Sequence, residues 1–339
     1  MKLYVRVLLI TLCAAVILSA PFVLSAPKIL GSVVADLDEM IPGEDEDDML
    51  SGEDEEGWLN WLIPSARAEA EVVAEYSLPV DFTPGYEPNE SLLTEDGYDD
   101  DSIRVEMETR EVDGVTWRIA WVTIASPTQL RTGIAGTKVS SSAVKMVSSM
   151  AQDYNAVVAM NGDFYSNDPK KTTFEYRMGQ KIRSKTNRKK DILIIDENGD
   201  FHTFIKSEGV MDFEKTTGHR IVNAFTFGPA LVKEGQLLKM DTGYGYNPNG
   251  EEPRSAIGQL GPLSYVMVVA EGRHNGVDGV THQQLADFMY SLNCVEAYNL
   301  DGGGSALLWY NGAYYNRKGG DERALSDIIY FATAVKPEE

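Results

Sequence analysis

The sequence predicts an α+β domain, a mixed, strand-rich sheet with few helices, preceded by a transmembrane anchor and a disordered acidic spacer. Three observations carry this reading. From residue 102 onward, short apolar runs of strand length recur and helical periodicity is rare. An uncharged apolar run fills Val7 to Leu24. Between these regions, residues 36–101 hold 23 Asp and Glu against one basic residue, Arg67. That stretch carries −22, which equals the net charge of the whole 339-residue chain. Three segments follow: 1–30, a cytoplasmic stub with a signal-anchor; 31–101, the spacer; and 102–339, the folded domain.

The run VLLITLCAAVILSAPFVL is preceded by Lys2 and Arg6, so the N-terminus is expected in the cytoplasm and the rest outside it. A peptidase site wants small residues one and three before the cut. Ala20 and Ala26 have Leu18 and Leu24 at the third position and proline immediately after, which favours a retained anchor. The expected location is therefore the cell membrane, single-pass, with the C-terminal domain extracytoplasmic; cleavage would make it secreted. Outside the anchor the sole cysteine is Cys294, so no intrachain disulfide forms there, and the residue reads as a core thiol. A large exported domain without disulfides fits a bacterial surface.

In the spacer, dense like charges repel and Gly and Pro punctuate any helix, so an extended, disordered segment is expected. The domain opens with strands Ile103–Val112 and Val115–Ile124, joined by the two-residue turn Asp113-Gly114. A helix is expected over Ser141–Tyr154, then a buried strand from Ala156 to Met160. Further strands are Ile192–Ile195, Phe201–Ile205, Leu263–Ala270, Val295–Leu300, Ala306–Tyr310 and Ile328–Thr333. Asn198-Gly199 and Asn311-Gly312 mark turns. Thr281 through Gln284 forms a capping box for a helix with Leu285, Phe288, Met289 and Leu292 on one face.

Polar chemistry gathers at strand ends, in Asn161-Gly162-Asp163-Phe164-Tyr165, in Pro253 to Gly258, in Glu271-Gly272-Arg273, and in Asp301-Gly302-Gly303-Gly304-Ser305. Three successive glycines sacrifice conformational entropy, so something gains from the missing side chains. One gain is close approach of a substrate phosphate or sugar to backbone amides, with the Ser305 hydroxyl assisting. The other is a tight bend with Asp301 as a turn acceptor. The spacing fits neither a dinucleotide nor a Walker loop. Arg254 and Arg273 offer planar donor forks suited to phosphate, or serve as ion-pair partners. Glu271 and Asp301 supply two carboxylates, the usual equipment for glycosidic cleavage. Asn161 and Asp163 suit sugar hydroxyls, a cation or a strand-end turn.

His202, His219, His274 and His282 lack zinc-ligand spacing, and His274, beside Arg273, is the one retained as a site candidate. No cofactor is required by the sequence; Asp and carbonyl oxygens would suit calcium, and the metal assignment stays open. Nucleic acid is excluded as a partner by the charge balance. Oligomeric state is not encoded in any pattern here. Residues 170–190 hold nine basic residues and one acidic residue, Glu175. A solvated loop is the plain reading; the functional one is electrostatic steering of a polyanionic substrate.

The order of these motifs resembles the phosphodiester glycosidase family. The resemblance runs from about Ile103 to the C-terminus. It rests on N-G-D-F-Y at 161–165, F-G-P-A-L at 227–231, P-R-S-A-I-G at 253–258 and E-G-R at 271–273. T-x-x-x-L-A at 281–286 and N-L-D-G-G-G-S at 299–305 complete it, and Arg323 with Ser326-Asp327-Ile328 resembles a terminal arginine-containing strand. The resemblance implies hydrolysis of a sugar-1-phosphodiester to sugar and phosphomonoester, in a surface polysaccharide or other phosphate-containing glycan. It also implies a site made of Asp301, Gly302, Gly303, Gly304, Ser305, Arg254, Glu271, Arg273, Asn161 and Asp163. Two other readings are kept: a non-catalytic polysaccharide-binding or exopolysaccharide assembly protein, and a metal-dependent phosphodiesterase that cuts P–O.

Overall fold

A computed structural model describes residues 73–136, 143–163, 173–274 and 276–337, all within one unit spanning Ile63–Glu339. The expected anchor, Val7 to Leu24, lies outside the described residues. Among the described residues, no helix is long and apolar enough to cross a membrane.

Strands dominate and three α-helices are described, Val147–Asp153, Phe213–Thr217 and His282–Ser291. The largest sheet has eight strands in the order Gly97–Asp99, Ile103–Val112, Val115–Ile124, Ser264–Ala270, Arg254–Gly261, Glu296–Leu300, Ala230–Lys233 and Gln236–Leu237. A five-stranded sheet runs Ala313–Tyr314, Leu308–Tyr310, Val158–Asn161, Asp327–Phe331, Leu130–Ile134. Another runs Gln180–Ser184, Phe174–Arg177, Ile221–Phe225, Ile192–Asp196, Phe201–Phe204. Every pairing between these strands is antiparallel, where the sequence reading expected a mixed sheet. With few helices there are few crossover connections, and parallel pairing needs them.

The first long hairpin pairs as its turn chemistry demands. Asp113 and Gly114 both have positive φ, 51° and 79°, the type I′ geometry that matches strand twist. Strand Ser264–Ala270 is buried along its whole length because both faces are covered. Tyr265, Met267 and Val269 face the central core shared by the three sheets, beside Val158, Met160, Leu193, Ile195, Phe225, Ile329 and Phe331. Val266, Val268 and Ala270 face the helix His282–Ser291, whose Leu285, Phe288 and Met289 fill the second core. Trp117 stacks on Phe288 there, ring centroids 3.7 Å apart. Thr281 caps that helix, its hydroxyl accepting from Gln284 N–H at 3.2 Å. Cys294 is a buried thiol that burial pushes up to about 12.

Four expectations change. The acidic spacer was expected to be disordered through residue 101, but residues 73–101 pack onto the domain. Gly97–Asp99 adds an edge strand, Tyr98 is buried, and the fully buried Arg131 donates to the carbonyls of Pro79, Asp81 and Thr83. Charge density misleads here because backbone carbonyls, one tyrosine and one carboxylate make specific contacts: Asp100 accepts from Ser102 N–H at 2.8 Å, Ile103 N–H at 2.9 Å and the Thr333 hydroxyl at 2.5 Å. Of the helix expected over Ser141–Tyr154, residues 141–142 lie outside the described residues; among the described ones it spans Val147–Asp153, since Lys145 is already bridged to Leu325. Strand Leu130–Ile134 and the strands around residues 174–184, 221–225 and 230–233 carried no clear period-2 pattern and were not anticipated. Arg323 precedes the strand Asp327–Phe331 in a loop rather than belonging to it.

Candidate active site

Strand register gathers the motifs at one end of the eight-stranded sheet. Arg254 pairs with Ala270, just before Glu271, and Ser255 pairs with Leu300, just before Asp301. A cavity of about 360 Å³ opens there. Asp301, Gly302, Gly303 and Gly304 form one wall, and Arg254, Arg273 and Arg323 bring three guanidinium groups to it. Phe227 and Tyr246, stacked with centroids 4.1 Å apart, provide an aromatic side, while Asn247, Glu252 and Asp321 add to the polar lining.

The glycines make the tight bend weighed from the sequence, and Gly302, Gly303 and Gly304 also line the cavity. A Cβ on Gly302 would sit 2.7 Å from the Pro253 carbonyl oxygen, and Gly303 is left-handed at φ +62° with its N–H donating to that oxygen at 2.7 Å. The loop is therefore a tight bend that also faces the cavity. Asp301 is held from two sides. Its carboxylate accepts from Gly302 N–H at 3.1 Å, and its backbone carbonyl accepts from Asn161 Nδ2 at 2.7 Å. Burial raises its pKa; the Ser305 hydroxyl, the Arg323 charge and the Gly302 N–H pull it down, and Asp327 adds to the rise.

The arginines differ in what they have left to offer. Arg254 is buried and donates to three carbonyls, Val280 at 2.7 Å, Asn247 at 2.7 Å and Gly250 at 2.9 Å. Burial pulls its pKa down to about 10, against the opposing charge of Glu252. It contributes charge and shapes the wall more than it grips. Arg273 sits in left-handed backbone at φ +59°, half exposed, and is clamped by Glu252 through Nε at 2.9 Å and Nη2 at 2.5 Å. Arg323 stands exposed at the cavity's edge.

Glu271 does not line the cavity. Its buried carboxylate accepts from Arg118 Nε at 2.7 Å and from Arg317 N–H at 2.8 Å, with His274 Nε2 at 3.2 Å. The carboxylate expected to pair catalytically with Asp301 is thus engaged by an ion pair and by the segment leading to Gly319 and Gly320, which do line the cavity. His274 is likewise beside Glu271 and not on the cavity wall. Asn161 and Asp163 are buried framework. Asn161 accepts from Ser255 Oγ at 2.8 Å and Leu307 N–H at 3.1 Å, and Asp163 accepts from Thr226 N–H at 2.8 Å. Phe164 and Tyr165 fall outside the described residues.

Sequence reasoning missed Glu252, Asp321, Tyr246 and Phe227. Phe227 opens the F-G-P-A-L block, and Glu252 immediately precedes the P-R-S-A-I-G block, so both adjoin motifs legible in the sequence. Tyr246 and Asp321 lie in loops with no pattern to mark them. Among the described residues, no three His, Cys, Asp or Glu side chains are grouped so as to hold a metal ion.

The family model for phosphodiester glycosidase matches residues 154–332, which spans every wall of this cavity. The chain belongs to the phosphodiester glycosidase family. The SPbeta prophage-derived uncharacterized protein YomE of Bacillus subtilis is 33% identical over 108 residues, 32% of this chain and 17% of that protein. The match thus spans about a sixth of that relative's length. Among solved structures, the catalytic domain of zebrafish N-acetylglucosamine-1-phosphodiester alpha-N-acetylglucosaminidase, auto-inhibited by its pro-peptide, superposes with a TM-score of 0.53 at 17% identity. That superposition covers 73% of this chain and 86% of the zebrafish domain, and shows a shared fold.

Proposed function

We propose that this phosphodiester glycosidase family member is a hydrolase that cleaves the glycosidic C–O bond of sugar-1-phosphodiesters in surface polysaccharide or related glycoconjugates. The supporting observation is one partly buried carboxylate, Asp301, on a glycine loop that shares a cavity with three guanidinium groups. A phosphodiester needs its charge neutralised, and a phosphomonoester leaves without much help from an acid. Arg273 and Arg323 are placed to take the phosphate oxygens, over the buried charge of Arg254. The stacked pair Phe227 and Tyr246 offers a flat apolar wall for a sugar ring. Asp301 then meets the anomeric carbon, as nucleophile or as base toward water, and water supplies the new hydroxyl on the sugar. Glu271 acts as a positioning residue that sets the wall at 317–320.

The anchor, with the catalytic domain extracytoplasmic, belongs to the same proposal and rests on the apolar run Val7 to Leu24. Hydrolysis of a glycosyl-1-phosphodiester in oxygen-18 water tests the chemistry. Label in the released sugar is expected. Label in the phosphate would mean P–O cleavage, and binding with no turnover across a panel of sugars would mean a binding protein.

A further inference from the structure

The basic stretch at 170–190 is not one patch. Arg177 is fully buried against Asp327, and Arg183 lies 3.5 Å from Glu175. Lys185, Arg188 and Lys189 remain exposed, and no carboxylate among the described residues forms an ion pair with them. Their loop is nonetheless anchored. Ser207 Oγ donates to the carbonyls of Asn187 at 3.0 Å and Lys190 at 2.7 Å, and Lys189 N–H donates to Asn187 Oδ1 at 3.0 Å. The loop ends at Lys190, whose Nζ lies 3.6 Å from the centroid of Tyr246, one of the two aromatic residues of the cavity. The exposed cations are therefore joined to the cavity wall by one residue and an aromatic ring.

We infer that Lys185, Arg188 and Lys189 form a second anion-binding surface beside the cavity, which holds the neighbouring phosphates of a glycan linked through repeated phosphodiesters. This rests on the proposed function for its chemistry: a single phosphodiester occupies the arginine cavity, and the chain beyond it runs past Tyr246 and Lys190 onto the loop. Several exposed cations on one anchored loop suit a polymer because each further phosphate adds an ionic contact without a new pocket. A monomeric phosphodiester ends before it reaches the loop.

Binding of fluorescently labelled inorganic polyphosphate of about 15 units to the full chain tests the surface without any need for turnover. Each phosphate contact contributes roughly 0.7 to the slope of log affinity against log salt for a flexible anionic strand, so three contacts account for about 2. In the triple variant Lys185→Gln, Arg188→Gln, Lys189→Gln, affinity at low salt should fall at least about tenfold and the salt slope by about 2. A control triple, Lys215→Gln, Lys239→Gln, Lys336→Gln, removes the same charge elsewhere and should change neither. Equal loss in both variants, or no loss in the first, overturns the inference. Turnover of poly(N-acetylglucosamine 1-phosphate) against methyl N-acetylglucosaminyl phosphate, where either is cleaved, should fall for the polymer alone. Failure to cleave both would count against the proposed function and leave the polyphosphate result standing.

Discussion

Glu252 holds Arg273 by two contacts to one carboxylate oxygen, Nε at 2.9 Å and Nη2 at 2.5 Å, on the wall of the Asp301 cavity. Glu252 therefore fixes the Nε–Nη2 edge of the guanidinium, while Nη1 and Nη2 lie against Gly303 of the glycine loop. The left-handed backbone of Arg273 concentrates this geometry at one residue.

Arg273→Lys should lower kcat/KM for a glycosyl phosphodiester about 10- to 100-fold, because an ammonium cannot present two parallel donors. The pair is half exposed, so unfolding stability should change by less than about 1 kcal/mol. Steady-state kinetics and thermal melts of the same preparation separate the two effects. A large fall in melting temperature would mean that the ion pair is structural.

Asp301→Asn should reduce turnover by at least about a thousandfold while leaving the fold intact, since it removes the carboxylate proposed to meet the anomeric carbon. The wild-type rate should fall on the acid side above the ordinary aspartate range, because burial raises this carboxyl and protonation silences it as nucleophile or base. The stability sign runs opposite. A raised folded pKa means the group's contribution is present below its unfolded pKa and lost as pH rises through the folded one, so the asparagine variant should melt higher than wild type near pH 7. A pH–rate profile and paired melts check both.

Asp327→Ala should cost about 3–5 kcal/mol, since it strands the fully buried Arg177 guanidinium. Asp327 accepts from Arg177 Nε at 2.6 Å, and Asp163 and Glu175 lie farther off, each 3.8 Å from Nη2. Burial, with those two carboxylates, lifts Asp327 to about 6 against the pull of Arg177. Urea denaturation measures the loss; a change within 1 kcal/mol would show that the remaining carboxylates suffice.

A chain beginning at residue 102 should be markedly less stable than one beginning at 73. It loses the buried Tyr98 and leaves Arg131 without the carbonyls of Pro79, Asp81 and Thr83. Unsatisfied buried donors cost about 1–3 kcal/mol each, more when charged. Equal melting temperatures for the two chains would show that the segment is dispensable.

The sequence by itself determined the strand-rich character, the hairpin at Asp113-Gly114, the capped helix after Thr281, the glycine loop at 301–305 and the family. Each is written in local signals: turn residues, a capping box, a short contiguous motif. It could not decide which motif residues face the cavity. Glu271, Asn161 and Asp163 stand in the right motifs, yet long-range partners claim them: Arg118 for Glu271, Ser255 and the Asp301 carbonyl for Asn161, and Thr226 for Asp163. Conversely, Glu252, Tyr246 and Asp321 reach the cavity from loops with no pattern of their own. A buried polar group must find its partner wherever the chain brings one. The same motif residue is therefore framework or working surface according to contacts many residues away, and only the tertiary structure decides that.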